Sequence, residues 1–510
     1  MKHAEVLCGL AANTALPSDL VDRLIELAVP DVDFPDDLAD RADLSHAQAL
    51  ALYARVPETG VRLAREGRLT AADVDPVAQP DTALALLDEG RGDPEWARLL
   101  VADPWFLRRE RLAECAGLPA DVVETLAADP DVNVVSELAL YTTAPEIVAR
   151  LARHPHTDVR RALAWNEATP PAVLASLLGG DGLPPARLCQ VCDAEETPPA
   201  PPAPDREEPD LELWDTSTCG GSHRSAAHLI RYTALYNPAT PTEAAAAFVD
   251  HPSKDLRTAL AQRPDLSPEL GRQLAADPHP AVRAGLAENP ATDDALMRAL
   301  ADDEDDDVRR HLALNPNVPL DVLVRLAATK KFRADAPPPR IAAASPAEVD
   351  ELARSKDSTV RMLLALRQDL PVAIRDALAT DPDAKVLKTI APHPGLSEAQ
   401  LRAMVEGHGV RVLAKVATNP DAPGALLEDL TRHRPPVQKA FREIARHPNA
   451  TPQALLTCLA DHRARPIAAG HPALPPQAIV ELLADDDGAV ARSAAGNPSL
   501  PGAVMRNLVP

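Results

Sequence analysis

Aromatic side chains are scarce in this chain of 510 residues: five Phe, four Trp and four Tyr, 3% of the total. Large globular cores lean on such side chains, so a chain that is 45% apolar with so few rings is expected to pack in thin layers of Leu, Ala and Val. Long apolar runs are missing as well. No stretch approaches the roughly 18 apolar residues of a membrane span. The start, MKHAEVLCGLAANTALPSDL, lacks the apolar core of a signal peptide, so the expected compartment is the cytoplasm. There the six cysteines are expected as thiols or ligands, not disulfides. Positive charge is in deficit, the formal balance being −24 at pH 7. That argues against nucleic acid or anionic membrane as main partner, since both are polyanions. Catalytic signatures are lacking too: no GxxxxGK phosphate loop, no HExxH, no GxSxG and no dinucleotide fingerprint after a strand. The expectation is a chain that is not an enzyme.

What the chain has is repetition. LRTALAQRPDLSPELGRQLAADP from Leu256, VRAGLAENPATDDALMRALADDE from Val282 and VRRHLALNPNVPLDVLVRLA from Val308 align with Arg263, Asn289 and Asn315 in one column, 26 residues apart each time. The same anchor column runs backward through Asn237, Asn166, Tyr141, Cys115, Glu89, Glu66, Arg41 and Asn13. It runs forward through Ala342, Arg367, His393, Asn419, His447 and His471 to Asn497.

Within a unit, Val308, Leu312 and Ala313 form one stripe of a short helix, and Leu320, Leu323, Leu326 and Ala327 form that of a second. Pro319 suits the first position of that second helix, and Thr169-Pro170, Thr240-Pro241, Ser267-Pro268 and Ser345-Pro346 read as cap and first residue in sister units. The pairs Asp129-Pro130, Asp277-Pro278 and Asp381-Pro382 mark where second helices stop. A single unit cannot bury enough apolar surface to offset its ordering entropy, so neighbours must stack.

Several side chains have a structural expectation. Anchor asparagines should bond the turn backbone and the neighbouring unit. Asp277 with Arg283, and Asp303 with Arg309, six apart, should tie adjacent units, with His154, His251 or Ser355 replacing Asp elsewhere. The acidic run Asp302 to Asp307 lacks the ligand alternation of a calcium loop and reads as solvated. Cys115 and Tyr141, replacing the anchor Asn, read as a buried thiol and a packed phenol.

The column skips 71 residues between Asn166 and Asn237, about 45 more than one period, because a Pro-rich acidic insertion intervenes. It carries three cysteines. Cys189 and Cys192 form a C-x-x-C pair, and Cys219 with His223 a second pair four apart, a set able to grip one tetrahedral zinc ion. A loop with free thiols, a redox dithiol at Cys189 and Cys192, and His228 in place of His223 remain as alternatives.

The unit VRxxLAxNPxxPxxLLxxLAxDP, with His447-Pro448, His471-Pro472 and Asn497-Pro498 at its turn, resembles the leucine-rich repeat variant family, relatives of HEAT repeats. The resemblance covers nearly the whole chain outside the insertion. It implies an all-α, right-handed α-solenoid in which a short 3₁₀-type and a longer α-helix alternate, here about 18 repeats of about 26 residues. A known member holds an iron–sulfur centre in an N-terminal cysteine cluster; here only Cys8 stands near the start. The expected organisation is repeats over 1–180, degenerate and capping at first, the insertion over 181–225, and repeats over 226–510. The expected function is a scaffold for protein or peptide partners, the alternative a zinc or iron–sulfur redox or sensor protein built around the insertion.

Overall fold

The computed structural model describes residues 2–30, 33–189, 223–329 and 336–509. Among these the regular structure is helical, apart from one isolated bridge between His156 and Leu188. Helices alternate in pairs, here termed A and B. In the template unit the A helix is Asp306–Leu312 and the B helix Leu320–Thr329. Val308, Leu312, Ala313, Leu323, Leu326 and Ala327 are buried as the periodicity predicts. Both helices of this pair are α-helical, and 3₁₀ turns among the described residues are confined to Pro57–Thr59, Ala71–Asp73 and Gly409–Arg411.

The caps divide by residue type. Ser267 accepts from the Leu270 N–H at 3.3 Å and Ser345 forms a capping box with Glu348, both ahead of a proline-led B helix. Thr169 and Thr240 do otherwise. Their helices, Pro171–Gly179 and Thr242–Ala246, begin after the proline, and the hydroxyls donate backward to the carbonyls of Leu163 and Ala234 at 2.7 and 2.6 Å. Helix ends leave carbonyls without intrahelical donors, and the threonine satisfies one of these instead of capping the next helix.

The anchor column is a ladder of side chain to backbone bonds. Asn315 donates to the carbonyls of Ala287 and Asn289 in the preceding unit at 2.8 and 2.7 Å, and accepts from the N–H of Asn317 at 2.8 Å. Asn289, Asn419 and Asn497 do the same one unit apart. The insertion interrupts the sequence but not the ladder: Asn237 reaches the carbonyls of Ala164 and Asn166 directly, at 3.0 Å each. Where histidine holds the place, Nε2 of His393, His447 and His471 meets the carbonyl of Ala365, Asn419 and His447. Where arginine holds it, a carboxylate stands two residues on: Arg41 with Asp43, Arg263 with Asp265 and Arg367 with Asp369, at 2.7 to 2.9 Å. A buried guanidinium needs such a counter-charge. At the expected anchor Glu66 the contact comes from Arg68, which donates to the carbonyls of Arg41 and Ala42.

A second ladder joins arginine and aspartate, with a different pairing from the one expected. Arg283 donates to the backbone carbonyl of Asp277, six residues earlier, while its guanidinium grips the carboxylate of Asp303, 20 residues on, at 2.7 and 2.9 Å. Arg109 with Asp129, Arg257 with Asp277 and Arg361 with Asp381 repeat this. The fixed offset places each fork over the next unit's aspartate rather than its own. In the acidic run, Asp302 pairs with Arg325, Asp303 with Arg283, Asp306 with Arg309 and Asp307 with Arg310, while Asp305 caps a helix.

The chain forms two compact units, one containing Met1–Val74 and Ala344–Pro510, the other Asp75–Lys330 with Pro338–Ala343. The first is built from both ends of the chain. Helix Lys2–Ala12 packs along Gly488–Ala495, and Asn13 donates to the carbonyls of Ala495 and Asn497 at 2.9 Å each, as if it were the next rung. Gly9 makes this approach feasible, since a Cβ there would lie 2.1 Å from the carbonyl oxygen of Arg492. Arg492 pairs with both carboxylate oxygens of Asp37 at 2.9 Å. The segment expected to cap the stack therefore continues the ladder from Asn497 through Asn13 to Arg41.

Candidate interaction face

In the unit Asp75–Lys330 the A helices stack in order, Phe106–Glu114 on Val132–Tyr141, then Thr157–Trp165, Arg224–Tyr236 and Lys254–Ala261. The residue just before each anchor ends its helix or follows within two residues of its end, and the same register recurs from helix to helix. In stacking order it is Glu114, Tyr141, Trp165, Tyr236, Gln262, Glu288 and Leu314. Three of the thirteen aromatic residues thus hold this register on three consecutive A helices, exposed by 51, 64 and 39%. Tyr232 lies one turn earlier, its ring centroid 4.9 Å from that of Tyr236, and the Tyr236 hydroxyl bonds the Gln262 side chain. In the other unit the same register holds Thr418, Arg446, Gly470 and Gly496.

Carboxylates flank the aromatic row on one side. Asp88 and Glu114 are exposed, Glu110 and Glu137 half-buried. Burial first, then Asp131 and Glu114, holds the Glu110 carboxyl above its ordinary range, and burial with Glu114 and Glu110 does so for Glu137. Among the described residues, none of the groups acting on either is a cation. The Tyr141 phenol is pushed up by burial and by Glu137, Glu114 and Asp88. Nearby arginines are engaged, Arg111 with Asp81 at 3.4 Å and Arg161 with Asp158 at 3.3 Å.

The B helices present the opposite character. Their charges are matched from one unit to the next: Arg98 with Asp121, Arg150 with Glu124 and Arg298 with Asp321, at 2.7 to 2.8 Å. A shallow cleft in the other unit, between Arg402, Leu426, Asp429 and His433, is likewise laced by its own pairs, Arg402 and Arg432 both on Asp429 at 2.9 Å.

Tyr141 corrects two expectations. The anchor of its unit is Thr142, whose carbonyl accepts from Asn166 at 2.8 Å and whose hydroxyl accepts from the Ala144 N–H at 3.3 Å. Tyr141 is one residue early, and it is exposed instead of packed. Cys115 is a true anchor residue, buried, with its thiol 3.5 Å from the Arg111 carbonyl; burial with Asp88 and Glu114 pushes it up to about 12, so it is no nucleophile. Sequence reasoning missed Trp165, Tyr232 and Tyr236 altogether. The available signal for Trp165 and Tyr236 was their register, directly before the anchor.

Of the expected metal ligands, Cys192 and Cys219 lie outside the described residues. Cys189 is buried at the end of a segment whose Leu188 carbonyl accepts from the Thr157 N–H at 3.0 Å. His223, half-buried with φ of 49°, immediately precedes helix Arg224–Tyr236. The alternative ligand His228 sits on that helix, buried, its Nε2 without a hydrogen-bond partner, and burial pushes its pKa down. Among the described residues no three His, Cys, Asp or Glu side chains converge to hold a metal ion. No helix among them is long and apolar enough to cross a membrane.

No protein-family model matches the chain, and none of the curated proteins is similar to it.

Proposed function

We propose that the chain is a non-enzymatic scaffold, an α-solenoid of leucine-rich repeat variant type, that binds a protein partner along the A-helix row of its Asp75–Lys330 unit. One observation carries this reading: in a chain almost devoid of rings, Tyr141, Trp165 and Tyr236 stand exposed in one register on adjacent helices. Rings placed outside cost solubility and add nothing to a core, whereas aromatics are the side chains that anchor protein interfaces. The B-helix face, with its charges already paired, has far less to offer a partner. The test is affinity capture from the native host by the full chain, by the triple variant Tyr141→Ala, Trp165→Ala, Tyr236→Ala, and by a B-face control, Arg98→Ala with Arg150→Ala. Partners should be lost with the first variant and kept with the second. Equal capture by all three would reject the face.

A second reading, a zinc-dependent sensor around the insertion, is favoured by the buried Cys189 and the unpartnered ring nitrogen of His228. Thiolate and neutral imidazole are the donor pair zinc prefers. Elemental analysis should then give close to one zinc per chain, lost on Cys189→Ser; metal-free protein purified without chelator would end this reading.

A further inference from the structure

Resting on the scaffold reading, we infer that the A-helix row accepts an extended, positively charged peptide segment in which Lys or Arg recurs at every third residue. Two features of the face select this occupant. Over the three helices Val132–Tyr141, Thr157–Trp165 and Arg224–Tyr236 its exposed large apolar side chains are all rings, and ring faces attract cations as well as apolar stems. Its polar part consists of carboxylates that have no ion-pair partner among the described residues. Beyond burial, Asp131 and Glu114 raise the proton affinity of Glu110, and Glu114 with Glu110 that of Glu137, in the sense expected of like charges held together. An acidic or neutral partner would find no charge to answer it here. A basic one would relieve repulsion that the fold otherwise carries.

The spacing follows from geometry. Packed helices lie about 8–10 Å apart, and an extended chain advances about 3.1–3.3 Å per residue. Successive A helices are therefore met by about every third residue of a peptide crossing them. Glu114, Tyr141, Trp165 and Tyr236 offer four such stations in a row, each able to receive one cationic side chain: an ion pair at the first, cation over ring at the others. Tyr236 is held at its station by the bond to Gln262 and by the Tyr232 ring.

The experiment titrates the full chain with two fluorescein-labelled peptides of identical composition, one of four Arg-Gly-Ser triplets, the other with its four arginines adjacent. The triplet peptide should bind about tenfold tighter at low salt. Trp165→Ala and Tyr141→Ala should each weaken it by about threefold to tenfold, while Trp165→Phe, which keeps a ring face, should retain most of the affinity. Glu114→Gln with Glu137→Gln should flatten its salt dependence. Equal binding of the two isomers, or binding indifferent to ring removal, marks generic attraction to an acidic protein and overturns the inference. If neither peptide binds while the triple ring variant still loses its host partners, the face docks a partner of other chemistry, so the inference fails and the scaffold reading stands. If the ring variant loses neither peptide nor host partner, both fail.

Discussion

Replacing Asn315 by alanine removes one rung of the ladder and allows its weight to be worked out. The side chain is fully buried and makes three bonds: two from Nδ2 to the carbonyls of Ala287 and Asn289, one from the Asn317 N–H to its oxygen. A buried hydrogen bond contributes about 0.5–1.5 kcal/mol net, and more when its loss strands a partner. Here three backbone groups are stranded, so Asn315→Ala should cost about 2–4 kcal/mol. A chain of this length is not expected to unfold in one step, so the assay is local: hydrogen exchange of the amides in Pro280–Glu288 and Asp306–Leu312, whose opening free energy should fall by that amount. Asn315→His supplies the comparison. His393, His447 and His471 occupy the same rung, each meeting a carbonyl of the preceding unit, so histidine should recover at least half of the loss. An alanine variant within about 0.5 kcal/mol of wild type, or a histidine variant no better than alanine, would refute the ladder as a source of stability.

The histidine rungs make the unit containing Ala344–Pro510 acid-sensitive. Burial is the main cause holding the pKa of His393 and His471 below the ordinary imidazole value, and Nδ1 of His471 must stay unprotonated to accept from the Ala473 N–H. The folded state thus binds fewer protons than the unfolded one; the contribution is complete above the unfolded pKa of about 6.5 and is lost as pH falls below it toward the folded value. Chemical denaturation at pH 7.5 and 5.5 should show this loss in wild type and a smaller one in His393→Asn with His471→Asn; an unchanged difference would reject it. At the junction of the two chain ends, Gly9→Val should destabilise by about 1–3 kcal/mol or more through overpacking against Arg492. Limited proteolysis should then release the N-terminal helix, and a variant as resistant as wild type would show that the contact is dispensable.

The helical pairs and the buried stripes were legible in the sequence because they follow from spacing alone: Leu312 and Leu323 recur at positions that the helical period sends inward. The rungs were legible for a related reason. An anchor must reach two carbonyls at a fixed place, and Asn, His or Arg followed two residues later by Asp are the solutions available. Contacts between units were less so. Arg283 and Asp277 are six apart in the sequence, yet the guanidinium prefers Asp303, a choice set by how one unit is laid over the next. The docking of Asn13 on Asn497 was beyond reach, since no local pattern says that the two ends of a chain share a stack; only Gly9, small where a larger residue would pack, hints at a close neighbour.

The face proposed for binding was illegible for the opposite reason. A residue directly before the anchor meets solvent, so the stack places no demand on it, and Thr418, Gly470, Gln262 and Trp165 are all compatible with the same backbone. Periodicity averages such a column away as noise. Yet a position free of structural demand is where a ring has to be explained by something other than the fold. Tyr141, Trp165 and Tyr236 neither close a ladder nor fill the core, and burial first, then the repulsion of other carboxylates, opposes the charge on their neighbours Glu110 and Glu137. Repeats that specify their own stacking so completely give this row no structural role, which is the ground for proposing it as the site of a partner.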